Sequence, residues 1–542
     1  MTPPRPTPPE SSSSRPITHH PSRNATTTPT PTPRITARQW AALAVLVLPV
    51  VLISVDMTVL SFAVPFISAA LAPTGTQVLW IVDGYSLAIA GLLVTMGTLG
   101  DRYGRRKLLL IGAAGFGVVS AVAAFATSAE ALILGRVALG VFGATLMPST
   151  LSLLRSTFTH REQRRTAFAV WAGGFAGGGA LGPIVGGWLL ENFWWGSVFL
   201  LNVPVIVALL VLTPWLVKES KSSSAGHVDA PSVAISILAM TGVVYGIKAL
   251  ADRGAGLVPL VTLVGGLTLG VFFVRRQTQL ADPLLDVTLF RLPVFRTAVL
   301  ANLMSICGMT GMLFAISQYV QLVLGLDPVP AGLLLLPGAV VAIVAGLLAA
   351  RLVRRIRLDL LIAAGLLLGS LGYLIAALLG SSGGVASAVQ LTLAFTVLSA
   401  GAGLAETLTN DAILSAAPAE RSGAASAISE TAYEVGAVLG TTVLGSVLNA
   451  VYRSFIEVPT TASAEQAATA RETLGGAVQV AGELPGGEVL LASARTAFAH
   501  GLDATAAAGV VLTAVAALVV WRQLRPARPV RAAQEMRQEV RA

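Results

Sequence analysis

Long apolar runs alternate with short polar segments along most of this chain. Each run is about 20 residues long, which is the length that an α-helix needs to cross the hydrocarbon core of a bilayer. The pattern predicts fourteen membrane-spanning helices, and an even number places both chain ends on one side. The runs lie at approximately 40–70, 78–99, 107–127, 131–153, 166–190, 196–217, 231–251, 256–274, 296–324, 329–350, 358–380, 386–414, 422–451 and 496–521.

The composition supports an integral membrane protein. Of the 542 residues, 54% are hydrophobic and 12% are charged, and the mean hydropathy is +0.76, far outside the range of soluble domains. The net charge of +9 does not indicate nucleic acid, because the basic residues lie between apolar runs rather than on a soluble surface. The single cysteine, Cys307, excludes a disulfide framework and a cysteine-based metal site.

The basic residues also predict an orientation. Residues 1 to about 34 are rich in Pro, Ser and Thr and contain no apolar core, so they predict a disordered tail rather than a signal peptide. If both termini are cytoplasmic, all but six of the 36 Lys and Arg lie in cytoplasmic segments, as the positive-inside rule requires. The six exceptions are Arg136, Lys248, Arg253, Arg453, Arg471 and Arg495.

Three charged residues lie inside the early apolar runs. A charge at the centre of a bilayer costs roughly 2.5–3.5 kcal/mol on insertion scales, so a partner or protonation must compensate it. Counted along their helices, Asp56, Asp83 and Arg136 share one level in the outer half of the membrane. An arginine near two aspartates can stabilise one carboxylate and be released when that acid is protonated, which predicts a proton-coupling cluster.

A second acidic group lies in the thirteenth run. Glu430 and Glu434 are four residues apart and therefore share a helix face, beside the aromatic Tyr433. Two carboxylates in a medium of low dielectric constant do not both ionise easily, which suits exchange of a proton for a cation. We therefore expect Glu430, Glu434 and Tyr433 to bind substrate. Glu406 and Asp411, near the cytoplasmic end of the twelfth run, are weaker candidates for the side from which substrate enters.

Two glycine-rich motifs accompany these charges. The loop "GTLGDRYGRRKLLL" after the second run combines a tight turn with one acid and several bases, and its key residues are Gly97, Asp101, Arg102, Gly104, Arg105 and Arg106. The fifth run contains "GGGALGPIVGG", in which a Gly-Pro step predicts a bend and a smooth packing surface. Its key residues are Gly178, Gly182, Pro183, Gly186 and Gly187.

These motifs resemble the major facilitator superfamily. The first has the form of its signature loop, which in that family holds the two halves together, and Asp101 would then face a helix N-terminus of the other half. The second resembles the motif of its proton-coupled exporters, and Arg136 fits its span-4 arginine motif. The segments "SVDMTVLSFAVP", "WIVDGYSL" and "AISETAYEVGAVLGTTVLGSVL", with fourteen spans, narrow the resemblance to the 14-helix drug:proton antiporters of the QacA type.

The resemblance implies an all-α polytopic membrane protein with the major facilitator fold: two six-helix halves related by a parallel pseudo-repeat, plus two linker helices. We expect a long outer loop with two amphipathic helices, broken near Pro485-Gly486-Gly487, and either lying over the outer mouth or mobile. The expected parts are a cytoplasmic tail at 1–38, an N-terminal half at 39–218, a linker at 219–295, a C-terminal half at 296–522 with its outer loop at 452–495, and a tail at 523–542.

The resemblance also implies a function. We expect a proton-coupled antiporter in a bacterial plasma membrane that exports lipophilic organic cations such as drugs, antiseptics or dyes, with no cofactor beyond the proton gradient and no metal site. The partners are then protons, the cations and the lipid bilayer, without nucleic acid, and we expect a monomer. Export of an endogenous metabolite, antibiotic or lipid on the same scaffold remains open. A membrane-embedded enzyme is disfavoured, because no nucleophile elbow, metal-ligand cluster or phosphate loop is found among the spans.

Overall fold

The computed structural model describes residues 36–221, 229–254, 256–280, 283–353, 355–378, 384–418 and 422–524. The predicted terminal tails therefore lie largely outside the described residues. Within the described part all regular structure is helical, and the predicted fold class is confirmed. The helices are α1 Ala37–Leu71, α2 Gly75–Tyr103, α3 Arg105–Ala123, α4 Ala129–Thr157, α5 Arg161–Asn192, α6 Ser197–Leu200, α7 Asn202–Leu216, α8 Ala230–Arg253, α9 Leu257–Gln277, α10 Pro293–Gln318, α11 Pro328–Leu352, α12 Leu358–Ala377, α13 Gly384–Ala416, α14 Ser422–Leu439, α15 Gly445–Phe455, α16 Ala464–Glu472, α17 Leu474–Glu483 and α18 Gly487–Gln523.

Within the part of the chain that the structure describes, three short segments of non-α helix interrupt this series. A 3₁₀ turn at Val287–Arg291 precedes α10, a π turn at Tyr319–Val323 follows α10, and a second π turn at Gly440–Leu444 joins α14 to α15. A π turn adds one residue to a helical turn and commonly marks a functional position. Because α6 with α7 and α14 with α15 each cross as one unit, the described helices form fourteen crossings.

Local sequence signals set several helix starts. Thr36 and Thr74 each accept a hydrogen bond from the backbone N–H three residues later, and the glutamine at that position reaches back to the cap backbone. This capping box satisfies amides that would otherwise lack partners at a helix N-terminus. Ser463 begins α16 in the same way.

Thirteen of the described helical segments are long and apolar enough to cross a membrane. The 32 residues of α5 also exceed the length required for a crossing, and α5 packs on α1 and α11. The predicted run at 166–190 therefore corresponds to α5.

The packing repeats between two halves. In the first, α1 packs on α5 and α7, α2 on α4, and α3 on α4 and α7; in the second, α10 packs on α14 and α18, α11 on α13, and α12 on α13 and α18. This correspondence is that of a parallel pseudo-repeat. The halves meet through α5 with α11 and through α2 with α14, which are equivalent interfaces in the repeat.

The linker helices occupy only one of these two interfaces. Helix α8 packs against α2 and α15, beside the α2–α14 contact, while α9 packs on α8 and exposes most of its apolar side chains. We call the side on which α1 begins and α18 ends the terminal side, and the other the opposite side. The linker therefore packs beside a single contact between the halves, that of α2 with α14.

On the opposite side, α16 and α17 lie between α15 and α18. They confirm the two helices predicted before the break at Pro485–Gly487. Helix α17 packs on α1, and the Gly75 N–H at the start of α2 donates to the Glu472 carboxylate at the end of α16. This segment is therefore folded onto the ends of the first half.

Candidate functional site

Asp56 forms a buried ion pair with Arg136. An Arg136 nitrogen lies 2.7 Å from Asp56 Oδ2, and the second carboxylate oxygen accepts a hydrogen bond from Asn202 at 3.1 Å. The guanidinium also lies 4.4 Å from the centre of the Tyr85 ring. Because Asp56, Arg136 and Asn202 belong to α1, α4 and α7, this cluster lies entirely within the first half.

Asp83 has a different cation as its partner. Lys248 Nζ lies 2.8 Å from Asp83 Oδ2, and both side chains are almost fully buried. The Thr442 hydroxyl donates to Oδ2 at 2.8 Å, and the Thr441 hydroxyl donates to Oδ1. Asp83 is thus held by the linker helix α8 and by the π turn of the second half.

The expected grouping of Asp56, Asp83 and Arg136 therefore needs correction. Arg136 contacts the carboxylate of Asp56 and, through Nε, the carbonyl oxygen of Ile81, two residues before Asp83. It does not bridge the two aspartates, because Lys248 satisfies the second one. Depth along the helices placed the three residues correctly, but depth cannot show which cation faces which acid.

A cavity of about 620 Å³ lies between the halves, a size suited to a drug-sized molecule. Helices α1, α2, α5, α10, α11, α13 and α14 contribute to its wall, which is mostly apolar. Phe175 of α5 and Tyr433 of α14 face each other across it, with ring centres 5.8 Å apart and nearly perpendicular planes.

Some of the predicted site residues of the second half line this cavity, and others lie beside it. Tyr433 lines the cavity, whereas Glu434 is almost fully buried against α2, beside Ser86, and Glu430 is partly buried one turn earlier. Glu406 lines the cavity on α13, and Asp411 is exposed near the end of that helix. Of these two weaker candidates, Glu406 is therefore the one that faces the cavity.

The charged loop between α2 and α3 makes its described contacts within the first half and the start of the linker. The Glu219 carboxylate accepts from the backbone N–H groups of Arg106 at 2.9 Å and Lys107 at 3.1 Å, which caps the N-terminus of α3. Gly104, with φ +118°, leaves room for this carboxylate, since a Cβ there would lie 2.9 Å from it. The side chain of Asp101 lies outside the described residues.

The basic side chains of this loop also make their described contacts within the first half and at the start of the linker. Arg105 donates to the Ser220 hydroxyl at 3.2 Å, and Arg106 donates to the carbonyl oxygen of Val217 at 3.1 Å. Arg102 is exposed and lies over the neighbouring Tyr103 ring, while Gly97 packs near Pro148 of α4. Glu219 was missed from the sequence, although an acid three residues after α7 could have been proposed as a cap for α3.

The glycines of α5 form a stripe against α1. A Cβ at Gly178 would lie 2.7 Å from the Val51 carbonyl oxygen, and Cβ atoms at Gly182 and Gly186 would collide with Thr58 and Val59. On the neighbouring face, Gly187 and Pro183 meet the start of α11. Small residues at this spacing permit close helix approach in a membrane, and here they join α5 to both halves.

These features define a polytopic transporter, and the chain belongs to the Major Facilitator Superfamily. The family model matches residues 46–441. The chain is 50% identical to the multidrug efflux pump LfrA of Mycolicibacterium smegmatis, over 90% of this chain and 97% of that protein. It is 36% identical to the methyl viologen resistance protein SmvA of Salmonella typhimurium, over 90% of this chain and 98% of that protein.

Further relatives and solved structures agree with the fold. The chain is 34% identical to the tetracenomycin C resistance and export protein of Streptomyces glaucescens, over 92% of this chain and 94% of that protein. A bacterial homologue of the human lysosomal transporter Spinster, in an inward-facing and unoccupied conformation, matches with a TM-score of 0.62 and 16% identity, over 91% of this chain and 100% of that chain. The POT family transporter PepTSo matches with a TM-score of 0.60 and 15% identity, over 91% of this chain and 98% of that chain.

Proposed function

We propose that the protein exports lipophilic cations across a bacterial plasma membrane in exchange for protons. The observation that carries this proposal is Glu406. Among the described residues of the cavity wall, Asp83 is paired with Lys248 and Arg136 with Asp56, whereas the Glu406 carboxylate has no cationic partner. An unpaired carboxylate in an apolar cavity, near the Phe175 and Tyr433 rings, suits an aromatic or alkylated cation.

The orientation follows from the basic residues. With the terminal side in the cytoplasm, the positive-inside rule is satisfied. The described contacts Gly187 to Pro328 and Pro183 to Gly332 join the halves on the opposite side. Cavity residues such as Gly346 and Glu406 lie toward the terminal side. This arrangement supports loading of substrate from the cytoplasm.

Proton exchange supplies the driving force. Moving one positive charge outward against a potential of 100 mV costs about 2.3 kcal/mol, and one incoming proton cancels that electrical cost. Asp56 is the candidate proton acceptor, because its cation Arg136 and its donor Asn202 lie in the same half, so that its charge can change without breaking contacts between the halves. The relatives named for multidrug efflux and methyl viologen resistance support the substrate class.

A second candidate is export of a neutral natural product. The largely apolar cavity wall and the relative named for tetracenomycin C export support it. In that case the Glu406 carboxylate would contribute little to substrate binding. The two candidate functions therefore predict different effects on transport when Glu406 is neutralised.

The test uses purified protein in liposomes with an imposed pH gradient. We expect transport of tetraphenylphosphonium, a lipophilic monocation, to stop when an uncoupler dissipates the gradient. Glu406→Gln should raise the KM for this cation about tenfold or more, since a charge-assisted contact is worth about 1.5–3 kcal/mol. Asp411→Asn, on the same helix but exposed, is the matched control and should leave the KM unchanged. Unchanged cation transport by Glu406→Gln, with a neutral dye still transported, would instead favour the second candidate.

A further inference from the structure

Asp83 lies where three separate parts of the chain meet. It belongs to α2 of the first half, and its carboxylate accepts hydrogen bonds from Thr441 and Thr442 of the second half. Its ion-pair partner, Lys248, belongs to the linker helix α8. By contrast, the polar partners of Asp56 all lie in the first half, so that cluster can move as one body.

The π turn at Gly440–Leu444 explains how both threonines reach one carboxylate. Successive side chains of an α-helix point about 100° apart, so two neighbouring hydroxyls do not normally face the same group. The extra residue of a π turn widens the helix locally. Here it brings Thr441 and Thr442 to the two oxygens of Asp83.

Lys248 completes the arrangement. Its side chain is fully buried, with Nζ 2.8 Å from Asp83 and 4.4 Å from the centre of the Trp80 ring. A buried ammonium is stable only beside a carboxylate or an aromatic face, and Lys248 has both. Around it, Leu87 of α2, Val244 of α8 and Val438 of α14 form one apolar cluster, so the linker, α2 and α14 pack together at this place.

We propose that Lys248 is a positioning residue of the transport cycle. It holds Asp83 against the π turn, and the four residues Lys248, Asp83, Thr441 and Thr442 form a lock that keeps the halves closed on the opposite side. The linker helix α8 thus acts in closure at the α2–α14 interface, while the equivalent α5–α11 interface closes by contact of small residues. This inference concerns the conformational equilibrium and holds whichever substrate is exported.

The test measures closure at the other interface. Asn192 at the end of α5 and Pro330 at the start of α11 are exposed on the opposite side, and Cys307 is the single native cysteine and is buried. Spin labels at Asn192→Cys and Pro330→Cys, in a Cys307→Ser background in liposomes, report the opening by pulsed electron spin resonance. We expect Lys248→Met to raise the ratio of long to short distances about tenfold or more, because bonds to charged groups are lost. Lys248→Arg should restore the short distance.

Two further variants keep the inference testable if Lys248→Met does not fold. Thr441→Val with Thr442→Val removes the hydroxyls without a change in charge, and Lys248→Met with Asp83→Asn removes both charges together. Each should shift the distances in the same direction. Val264→Met, on the exposed face of α9, controls for disturbance of the linker and should not shift them. If the threonine variant and the charge variants fold and keep the distance distribution of the parent protein, the proposal is overturned.

Discussion

At the scale of single residues, Asp56 shows how a buried charge constrains function. Its carboxylate neutralises Arg136 and accepts from Asn202, with little access to water. Removal of one partner from a buried ion pair costs about 3–5 kcal/mol, because the remaining charge is left uncompensated. The stability of the protein and the proton coupling that we propose therefore depend on the same atoms, and an experiment must separate them.

We expect Asp56→Asn to lower the free energy of unfolding by about 3–5 kcal/mol and to abolish transport driven by a pH gradient. Addition of Arg136→Met should recover most of the stability, because both charges are then absent, but should not recover transport. Thermal unfolding in detergent measures the first quantity, and cation flux into liposomes measures the second. The exposed Asp411→Asn serves as control, and normal pumping by the double variant would show that coupling resides elsewhere.

At the scale of helices, the close packing of α5 against α1 depends on individual glycines. A Cβ at Gly178 would meet the backbone carbonyl of Val51 at 2.7 Å, and backbone cannot move aside as a side chain can. At the adjacent Gly177 nothing lies within 4 Å of a Cβ. The two neighbouring glycines thus have different structural roles.

Alanine at these two positions should therefore act with opposite signs. Gly178→Ala should destabilise the protein by about 1–3 kcal/mol, the usual cost of overpacking, and slow transport by separating α1 from α5. Gly177→Ala should be neutral or stabilising by up to about 1 kcal/mol, because alanine favours the helix. Thermal unfolding of both variants checks this prediction, and equal destabilisation would contradict the assigned stripe.

The pair of linker helices carries an ion pair on the terminal side. Hydrogen bonds from the Arg276 guanidinium, at 2.9 Å from Oδ1, and from Ser232 hold the pKa of Asp229 below its ordinary value. A carboxyl group with a lowered pKa in the folded state stabilises the protein above its unfolded pKa of about 3.9. That stabilisation is lost as the pH falls through the folded pKa.

Asp229→Asn should therefore be less stable than the parent from pH 7 to about pH 5, by about 1 kcal/mol at most, and the difference should shrink as the pH falls below about 3.9. Melting temperatures in detergent across this range measure it. Asp327→Asn is a matched control, because Asp327 also precedes a helix with proline in its first turn and makes no side-chain cap bond, but has no ion pair among the described residues. A difference for Asp229→Asn that does not shrink below about pH 3.9 would exclude the ion pair as its cause.

At the scale of the whole molecule, the long apolar runs predicted the crossings, and the resemblance of the motifs to the major facilitator superfamily predicted the two halves. Lys248 lies three residues before the predicted end of its apolar run. It was therefore counted among the charges of the outer segments, and its contact with Asp83 was missed. The Asp83 site also needed the π turn, whose extra residue has no signature in the sequence. The cap of α3 by Glu219 was missed as well, because only the fold shows which acid reaches which helix end.

The segment of α16 and α17 connects the halves on the opposite side. It belongs in sequence to the second half, where the Tyr452 hydroxyl donates to the Ala470 carbonyl oxygen at 2.7 Å and Arg453 pairs with Glu472 at 2.9 Å. A Cβ at Gly475 would nevertheless lie 2.7 Å from Ser68 Cβ, at the end of α1 in the first half. If the halves separate on this side during transport, the contact between Gly475 and Ser68 must break.

A reversible cross-link tests this requirement. In a Cys307→Ser background, Ser68→Cys with Gly475→Cys places two thiols within reach of a disulfide, with small local shifts. We expect oxidation to stop cation transport and dithiothreitol to restore it, while each single cysteine variant pumps in both conditions. Binding of tetraphenylphosphonium should survive oxidation, because the cross-link lies on the opposite side while cavity residues such as Gly346 and Glu406 lie toward the terminal side. Full transport by the cross-linked protein would mean that α17 moves with the first half, and the separation would then have to occur between α17 and α18.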